Sequence, residues 1–282
     1  MLEASWVALS LADHVGGKKL RALMRHFDND PAAVLNADAE TLRQVPGIGP
    51  KIAQIIRDIR LIDVENAIPG WQAAGVTLLP LQDSRYPERL RPLDDAPPTL
   101  FVIGHGNLNH TRAAAVVGTR RPSPDSEALA RQIALRLASR GCVVVSGLAL
   151  GVDRAAHVGA LDVPDGETLA VLGSGVLNVF PEANDALAEQ IIQRGALLSE
   201  VHPQAQANRA SLVARNRLIS AMSDAVIIVE TAVDGGAMHA ARRARAQGRK
   251  VYAVDNAASG NRALIAEGAV PLRVDLSNLE EV

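Results

Sequence analysis

The residues most suggestive of chemistry follow an apolar run at positions 113–117. There Gly118, Thr119, Arg120 and Arg121 come shortly before a segment with helical spacing. In an open α/β sheet, ligands bind beyond the carboxyl ends of the strands, so two arginines at this junction predict a site for an anion. Removing an arginine at a strand end from water costs free energy, and this cost is compensated only when an anion or a carboxylate pairs with the guanidinium. The alternative is an ion pair with an acid that follows another predicted strand: Glu200, Glu230 or Asp255.

Glycine and hydroxyl residues end two further predicted strands. Ser146 and Gly147 follow the second strand, and Gly173, Ser174 and Gly175 follow the third. Backbone N–H groups in such loops, and the helix N-termini behind them, suit a phosphate. Any one loop alone is better explained as a tight turn between a strand and a helix. Three such loops together with two arginines favour an anion site.

A third group of polar residues lies in the segment ANRASLVARNRLISAMSDAV. Arg209 and Arg217 are eight positions apart, so on a continuous helix they would share one broad face. Asn216 can hydrogen-bond the backbone or a ligand. The pattern is compatible with phosphate contacts and equally with a solvated helix face.

The sequence contains little evidence for a catalytic triad or a metal site. Asp153 and His157 lie four positions apart on one predicted helix face, with Ser146 nearby. The serine is not in a Gly-x-Ser-x-Gly elbow, so a hydrolytic triad is not predicted, and Asp153 is better explained as a brace for the turn. No histidine stands at metal-ligand spacing from cysteines or carboxylates, so we expect no metal and no cofactor.

A glycine-flanked hairpin lies near the N-terminus, in the segment VPGIGPKIAQII. Gly47 and Gly49 separate two apolar helical patterns, as in a helix-hairpin-helix turn. Such a turn can present backbone N–H groups to a DNA phosphate, with Lys51 beside it. A purely structural hairpin in a SAM-like bundle fits the pattern equally well.

The elements that position these residues form two regions. Residues 1–66 show helical periodicity and predict a small all-α, SAM-like domain with the helix-hairpin-helix motif. Residues 67–282 carry continuous apolar runs alternating with helical patterns, which is typical of a parallel sheet covered on both faces. The sequence therefore predicts an α/β fold with an extended Rossmann-like, doubly wound and mostly parallel sheet after the helical domain.

Composition limits the possible classes of protein. The chain has 282 residues and a net charge of −2, so a general attraction to nucleic acid is not expected and any anion site must be local. Its one cysteine, Cys142, excludes an internal disulfide. No signal-like N-terminus and no apolar run long enough to span a membrane are found, so we expect a cytoplasmic protein.

Six motifs in this order resemble the DNA-processing protein A (DprA/Smf) family: VVGTRRPS, VSGLALGVDRAAH, VLGSGVLNVFPEAN, LLSEVHP, ARNRLISAMSDAVIIVET and GRKVYAV. The resemblance implies a non-enzymatic, dimeric single-stranded-DNA-binding protein that protects incoming DNA and loads the RecA recombinase in natural transformation and recombination. It also implies a single-stranded-DNA-binding protein as a further partner. The implied DNA-binding residues are Gly118, Thr119, Arg120, Arg121, Ser146, Gly147, Gly173, Ser174, Gly175, Arg209, Asn216 and Arg217.

The sequence departs from the family pattern in three places. Leu212 replaces a frequent phenylalanine, DGGAMHAA replaces a Ser-Gly-x-x-x-Thr-Ala motif, and Asp255-Asn256 replaces Pro-Gly. Many members also carry a C-terminal winged helix. The competing function is a nucleotide-binding sensor or nucleotide phosphoribohydrolase on a LOG-like Rossmann fold. The carboxylate expected after Gly235-Gly236 in such a hydrolase is missing, which argues against hydrolysis.

Overall fold

The structure is a computed structural model that describes residues 2–281. A nine-stranded sheet with the order β1-β2-β6-β5-β4-β3-β7-β8-β9 forms its centre. The strands β3 to β9 pair in parallel, while β1 and β2 are antiparallel additions at one edge. The strands are β1 Thr77–Pro80, β2 Thr99–Gly104, β3 Ala113–Val117, β4 Val143–Ser146, β5 Thr168–Val171, β6 Ala196–Ser199, β7 Ala225–Ile228, β8 Lys250–Val254 and β9 Val270–Leu272.

Helices cover both faces of this sheet, which confirms the predicted doubly wound α/β architecture. Successive residues of a strand point to opposite faces, so Ala115 and Val117 enter one core while Ala114 and Val116 enter the other. The helices that follow the strands are α7 Pro124–Ala138, α8 Val152–Leu161, α9 Asp185–Arg194, α10 Arg209–Ala214, α11 Asn216–Ala221, α12 Gly236–Ala246 and α13 Ser259–Ala266.

The N-terminal region is all-helical, as its periodicity predicts. Asp30 starts the third helix by accepting hydrogen bonds from the N–H groups of Ala32 and Ala33, with Pro31 in the first turn. The helices are α1 Leu2–Leu11, α2 Gly17–His26, α3 Pro31–Asn36, α4 Ala39–Arg43, α5 Pro50–Arg57 and α6 Leu61–Ala73. Helix α6 contains Pro69 and continues across the predicted boundary between residues 66 and 67.

The helical region packs directly on the sheet. Val7 of α1 and Trp71 of α6 share a core with Phe101 of β2, while Leu9 of α1 belongs to the separate core of the helical bundle. The indole N–H of Trp6 donates to the carbonyl of Pro98 at 2.8 Å. Helix α1 therefore joins the two regions through both of its faces.

The continuous helix on which Arg209 and Arg217 would share a face is divided in two. Helix α10 ends at Ala214, and α11 begins at Asn216. Between them stands Arg215, whose side chain is buried. The division matters because residues 209 and 217 then belong to different helices.

Candidate nucleic-acid-binding site

A cleft lies where the order of the strands reverses. From β3 the chain proceeds to β4, β5 and β6 on one side, and then to β7, β8 and β9 on the other. The loops that follow β3 and β7 therefore run to opposite sides and leave a crevice at the carboxyl ends of these strands, which is where doubly wound folds bind ligands. A cleft of about 740 Å³ occupies this position, and we call it the switch-point cleft.

Most of the residues that line the switch-point cleft come from three chain segments. Residues 118–121 come from the loop after β3, residues 207–209 with Leu212 and Asn216 from the region of α10 and α11, and residues 231–232 and 235–237 from the turn after β7. The cleft therefore brings together Gly118, Thr119, Arg120, Arg121, Arg209 and Asn216 of the predicted site.

The rim of this cleft is positively charged. Arg120, Arg121 and Arg209 are exposed, and in the part of the chain that the structure describes their guanidinium groups form no ion pair or hydrogen bond. Asp153 is the one carboxylate among the lining residues, and it is buried. A protein of net charge −2 thus gathers unpaired positive charges at one concave surface, where a bound anion would neutralise them.

The alternative to an anion site, an ion pair of Arg120 or Arg121 with Glu200, Glu230 or Asp255, is not formed among the described residues. Glu200 pairs with Arg217, and Glu230 accepts hydrogen bonds from the backbone N–H and the hydroxyl of Ser123, both at 3.0 Å. Ser123 caps helix α7, so Glu230 serves the start of that helix. The two arginines consequently remain available at the rim.

The floor of the cleft is built around Arg215. Its Nη1 donates to the carbonyls of Gly147 at 2.6 Å and Val171 at 2.5 Å, and its Nε donates to Oδ1 of Asn216 at 2.9 Å. Asp153 lies 3.8 Å from its Nη2. These contacts join the ends of β4 and β5 to helix α11 beneath the ligand-accessible surface.

Burial shifts the pKa values of both Asp153 and Arg215. It raises the pKa of the Asp153 carboxyl, against the opposing effects of Arg215 and of backbone N–H groups that include those of Gly118 and Gly147. Burial also lowers the pKa of Arg215. The backbone N–H groups of Gly118 and Gly147, which the sequence predicts as phosphate contacts, thus also favour the charged form of Asp153.

Other backbone N–H groups of the glycine-containing loops are also occupied. That of Thr119 donates to the carbonyl of Glu230 at 2.8 Å, and that of Gly175 donates to the carbonyl of Ala205 at 2.9 Å. The expectation that these loops offer bare N–H groups is therefore wrong at these positions. The positive charge at the cleft is carried by the arginine side chains.

Five predicted residues lie beneath the cleft or beside it. Ser146 is buried and donates its hydroxyl to the carbonyl of Val116 at 2.7 Å. Gly147 leaves no room for a side chain, because a Cβ there would lie 1.9 Å from Nη1 of Arg215. Residues 173–175 are buried under the 203–212 segment, with Gly173 against Leu212 and Gly175 against Pro203.

Arg217 lies outside the switch-point cleft. Its Nη1 and Nη2 each donate to one carboxylate oxygen of Glu200 at 2.6 Å, and its Nε donates to Asp95 at 2.9 Å. The predicted shared face with Arg209 is wrong, because α10 and α11 are separate helices and Arg217 points to the region before β2. Two carboxylates already neutralise its charge.

The residues considered for catalysis are each engaged elsewhere. His157 is fully buried, and its Nδ1 lies 2.7 Å from Oγ1 of Thr168. Thr168 donates its own hydroxyl proton to the carbonyl of Val144, so the imidazole must carry a proton on Nδ1. Burial lowers the pKa of His157 to about 3. With Ser146 bonded to the backbone and Asp153 facing Arg215, these side chains brace the fold.

Several lining residues were not predicted. Asn208 caps helix α10, and Thr231 and Gly236 come from the turn after β7. The glycine pair after β7 was a visible signal, since it follows a strand of the predicted sheet. Phe180 also lines the cleft; it lies within the motif VLGSGVLNVFPEAN, but it was not among the predicted site residues because it stands well beyond the end of β5.

The helix-hairpin-helix turn is present near the N-terminus. Gly47 has a positive φ of 86°, which favours glycine, and Gly49 precedes the first turn of α5. A groove of about 810 Å³ lies between Gly47 and helix α2. Its basic lining residues are Lys18, Lys19, Arg21, Arg25 and His26. Lys51 is exposed on α5 outside this lining.

The described residues contain neither a candidate metal site nor a candidate membrane-spanning helix. No group of three or more histidine, cysteine or acidic side chains is placed to hold a metal ion within residues 2–281. None of the helices in that range combines the length and apolar character that crossing a bilayer requires.

Comparison with known families identifies the fold around the cleft. The family model of DNA recombination-mediator protein A matches residues 77–281, which contain all nine strands and the switch-point cleft. The chain belongs to the DNA recombination-mediator protein A family. A SAM-like helix-hairpin-helix tandem matches residues 9–59, in agreement with the predicted N-terminal motif.

Relatives of this chain support the assignment to the family. Protein Smf from Synechocystis is 33% identical over 261 residues, which cover 90% of this chain and 65% of the relative. DNA processing protein DprA from Bacillus subtilis is 31% identical over 210 residues, 72% of this chain and 70% of the relative. The chain thus spans about two thirds of the length of these relatives.

Solved structures show the same architecture. The X-ray structure of DNA processing protein A from Streptococcus pneumoniae gives a TM-score of 0.82 at 27% identity, over 96% of this chain and 94% of that one. The protein from Helicobacter pylori, described for its single-stranded DNA binding mode, gives a TM-score of 0.66 at 30% identity, over 73% and 93% of the two chains.

Proposed function

We propose that the switch-point cleft binds the phosphate backbone of single-stranded DNA. The observation that carries this proposal is a group of three exposed arginines, Arg120, Arg121 and Arg209, which have no partner among the described residues and surround a concave site in a protein of net negative charge. Arginine is well suited to phosphate because its planar fork can donate two hydrogen bonds at once. The single-stranded DNA bound by the Helicobacter pylori relative supports the same choice of ligand.

A single strand fits this site better than a duplex. A flexible backbone can follow a concave surface between two loops, whereas duplex DNA is stiff and resists bending over short lengths. Gly118 and Thr119 form the wall beside Arg120, and Asn216 is held at the floor by Arg215. These residues shape the path of the strand, and the rim arginines supply its affinity.

The cellular role that we propose follows the family. The protein protects incoming single-stranded DNA in the cytoplasm, loads RecA on it during natural transformation and recombination, and acts as a homodimer without enzymatic turnover. Two linked clefts would hold one strand more tightly than one, because the second contact forms at a high effective concentration. RecA loading is tested by the rate of RecA assembly on DNA coated with single-stranded-DNA-binding protein, which the protein should increase.

The binding proposal is tested by the fluorescence anisotropy of a labelled single strand across a salt series. Arg120→Ala and Arg209→Ala should each weaken binding and reduce the slope of log K against log salt by about 0.7, the value for one phosphate contact on a single strand. Arg136→Ala is the matched control, because Arg136 is exposed on α7 and lies outside the cleft lining. It should leave affinity and slope unchanged.

Two results would overturn the proposal. One is an unchanged slope in both cleft variants, which would place the phosphates elsewhere. The other is equal competition by unlabelled duplex. Competition by free mononucleotides at low concentration would instead favour a nucleotide-binding protein.

A further inference from the structure

The cleft has an apolar margin beside its arginines. The structure shows seven large apolar side chains exposed within the described residues. Leu150, Phe180 and Val213 are three of these, with exposed fractions of 42%, 44% and 38%, and all three line the switch-point cleft or the small cleft beside it. Exposed apolar groups gathered at one place mark a binding surface.

Phe180 is unusual among the aromatic residues of the chain. The rings of Trp6, Trp71, Tyr86, Phe101 and Tyr252 are buried in the cores. Phe27 is half-buried and packs at the edge of the helical bundle. Phe180 alone among the described aromatic residues has an exposed side chain, and no core contains it. Packing of the fold therefore does not explain this ring.

Phe180 also lies next to a rim arginine. It lines the switch-point cleft, and together with Arg120 and Leu212 it lines an adjoining cleft of about 60 Å³. In a nucleotide the base and the phosphate extend from different sides of the sugar. A strand held by its phosphates at Arg120 therefore presents a base to the neighbouring apolar surface.

We infer that Phe180 stacks against a base of the bound strand and forms a base subsite beside the phosphate subsite at Arg120. This inference rests on the proposed binding of single-stranded DNA. The ring of Phe180 also supplies an aromatic surface in a cleft where Leu212 cannot provide one. Because every base has a π face, such a subsite strengthens binding without selecting a sequence.

Variants of Phe180 separate stacking from simple apolar contact. Phe180→Ala should weaken binding of a single strand about 5- to 20-fold, the lower part of the range for one base–aromatic stack, because part of the ring stays exposed. Phe180→Leu keeps an apolar side chain but loses the π face, and it should show most of the same loss. Phe180→Trp should restore binding. Ile62→Ala, at an apolar position 51% exposed on α6, is the control and should bind like the wild type.

An oligonucleotide with tetrahydrofuran abasic residues tests the partner of the ring. It keeps the phosphates and lacks the bases, so Phe180→Ala and wild-type protein should bind it with equal affinity. In Phe180→Trp, fluorescence of the new indole should be quenched by the normal strand and much less by the abasic strand. Trp6 and Trp71 are 6% and 3% exposed, so they add a constant background.

Each outcome distinguishes this inference from the proposed function. If Phe180→Ala binds the normal strand like the wild type while Arg120→Ala binds it more weakly, phosphate binding stands and base stacking is refuted. If Phe180→Ala weakens binding to normal and abasic strands equally, the ring does not contact a base. If it lowers only the binding of a protein such as RecA, the apolar margin is a protein-docking surface and the inference fails. If Arg120→Ala and Arg209→Ala are both without effect, the proposed function itself fails.

Discussion

Replacing Arg217 with methionine should destabilise the fold and leave DNA binding intact. The guanidinium makes two hydrogen bonds of 2.6 Å to Glu200 and one of 2.9 Å to the carboxylate of Asp95. The side chains of Arg217 and Glu200 are 11% and 20% exposed, whereas Asp95 is 54% exposed. Arg217→Met therefore leaves the Glu200 carboxylate largely buried without its counter-ion.

The magnitude follows from the exposure of the two acids. Removing one partner of a buried ion pair costs about 3–5 kcal/mol, and the residual hydration of Glu200 places this site at the lower end. Asp95 adds little, because pairs with an exposed partner contribute about 0–1 kcal/mol. We expect the free energy of unfolding, measured by urea titration, to fall by roughly 2–4 kcal/mol. Combining Arg217→Met with Glu200→Gln should recover part of this loss, since the unpaired charge is then removed.

Arg209→Met provides the opposite control. Arg209 is exposed at the rim and has no partner in the described structure, so its replacement should change the free energy of unfolding by less than about 0.5 kcal/mol. It should nevertheless weaken binding of a single strand, while folded Arg217→Met binds it with the affinity and salt slope of the wild type. A stable Arg217→Met protein with a reduced salt slope would refute this reasoning and make Arg217 a phosphate contact.

Two further predictions concern the floor of the cleft and the packing around it. The folded pKa of His157 is about 3 and its ordinary pKa is 6.5, so between these two pH values the unfolded chain binds one proton more than the folded chain. The free energy of unfolding, measured by urea titration, should therefore fall on acidification from pH 6.5, by about 2–3 kcal/mol at pH 4.5. His157→Gln should remove this part of the pH dependence. Gly147→Ala should lower the melting temperature, since its Cβ would lie 1.9 Å from the buried Arg215 guanidinium; a melting temperature equal to that of the wild type would contradict this packing.

The fold could be predicted from the sequence because its signals are local. The apolar runs at β3, β4, β5 and β7 alternate with helical patterns, and each run depends only on neighbouring residues. The position of Arg120 and Arg121 after β3 also follows from chain order, because ligands of such sheets bind at the carboxyl ends of strands. Whether a backbone N–H group of these loops is unpaired depends on residues far away in the sequence: the N–H of Thr119 donates to the carbonyl of Glu230, and the N–H of Gly175 donates to the carbonyl of Ala205.

The sequence by itself determined which segments form strands and helices, and which polar residues follow the strands. It could not distinguish the three arginines at 209, 215 and 217, which have similar neighbours. The tertiary structure separates them: Arg209 is exposed at the cleft, Arg215 is buried beneath it, and Arg217 is neutralised by Glu200 and Asp95. The same is true of Phe180, which reaches the cleft only because the chain folds back beside Arg120. The charge and exposure of a side chain depend on partners far away in the sequence, and those partners are brought together only by the folded sheet.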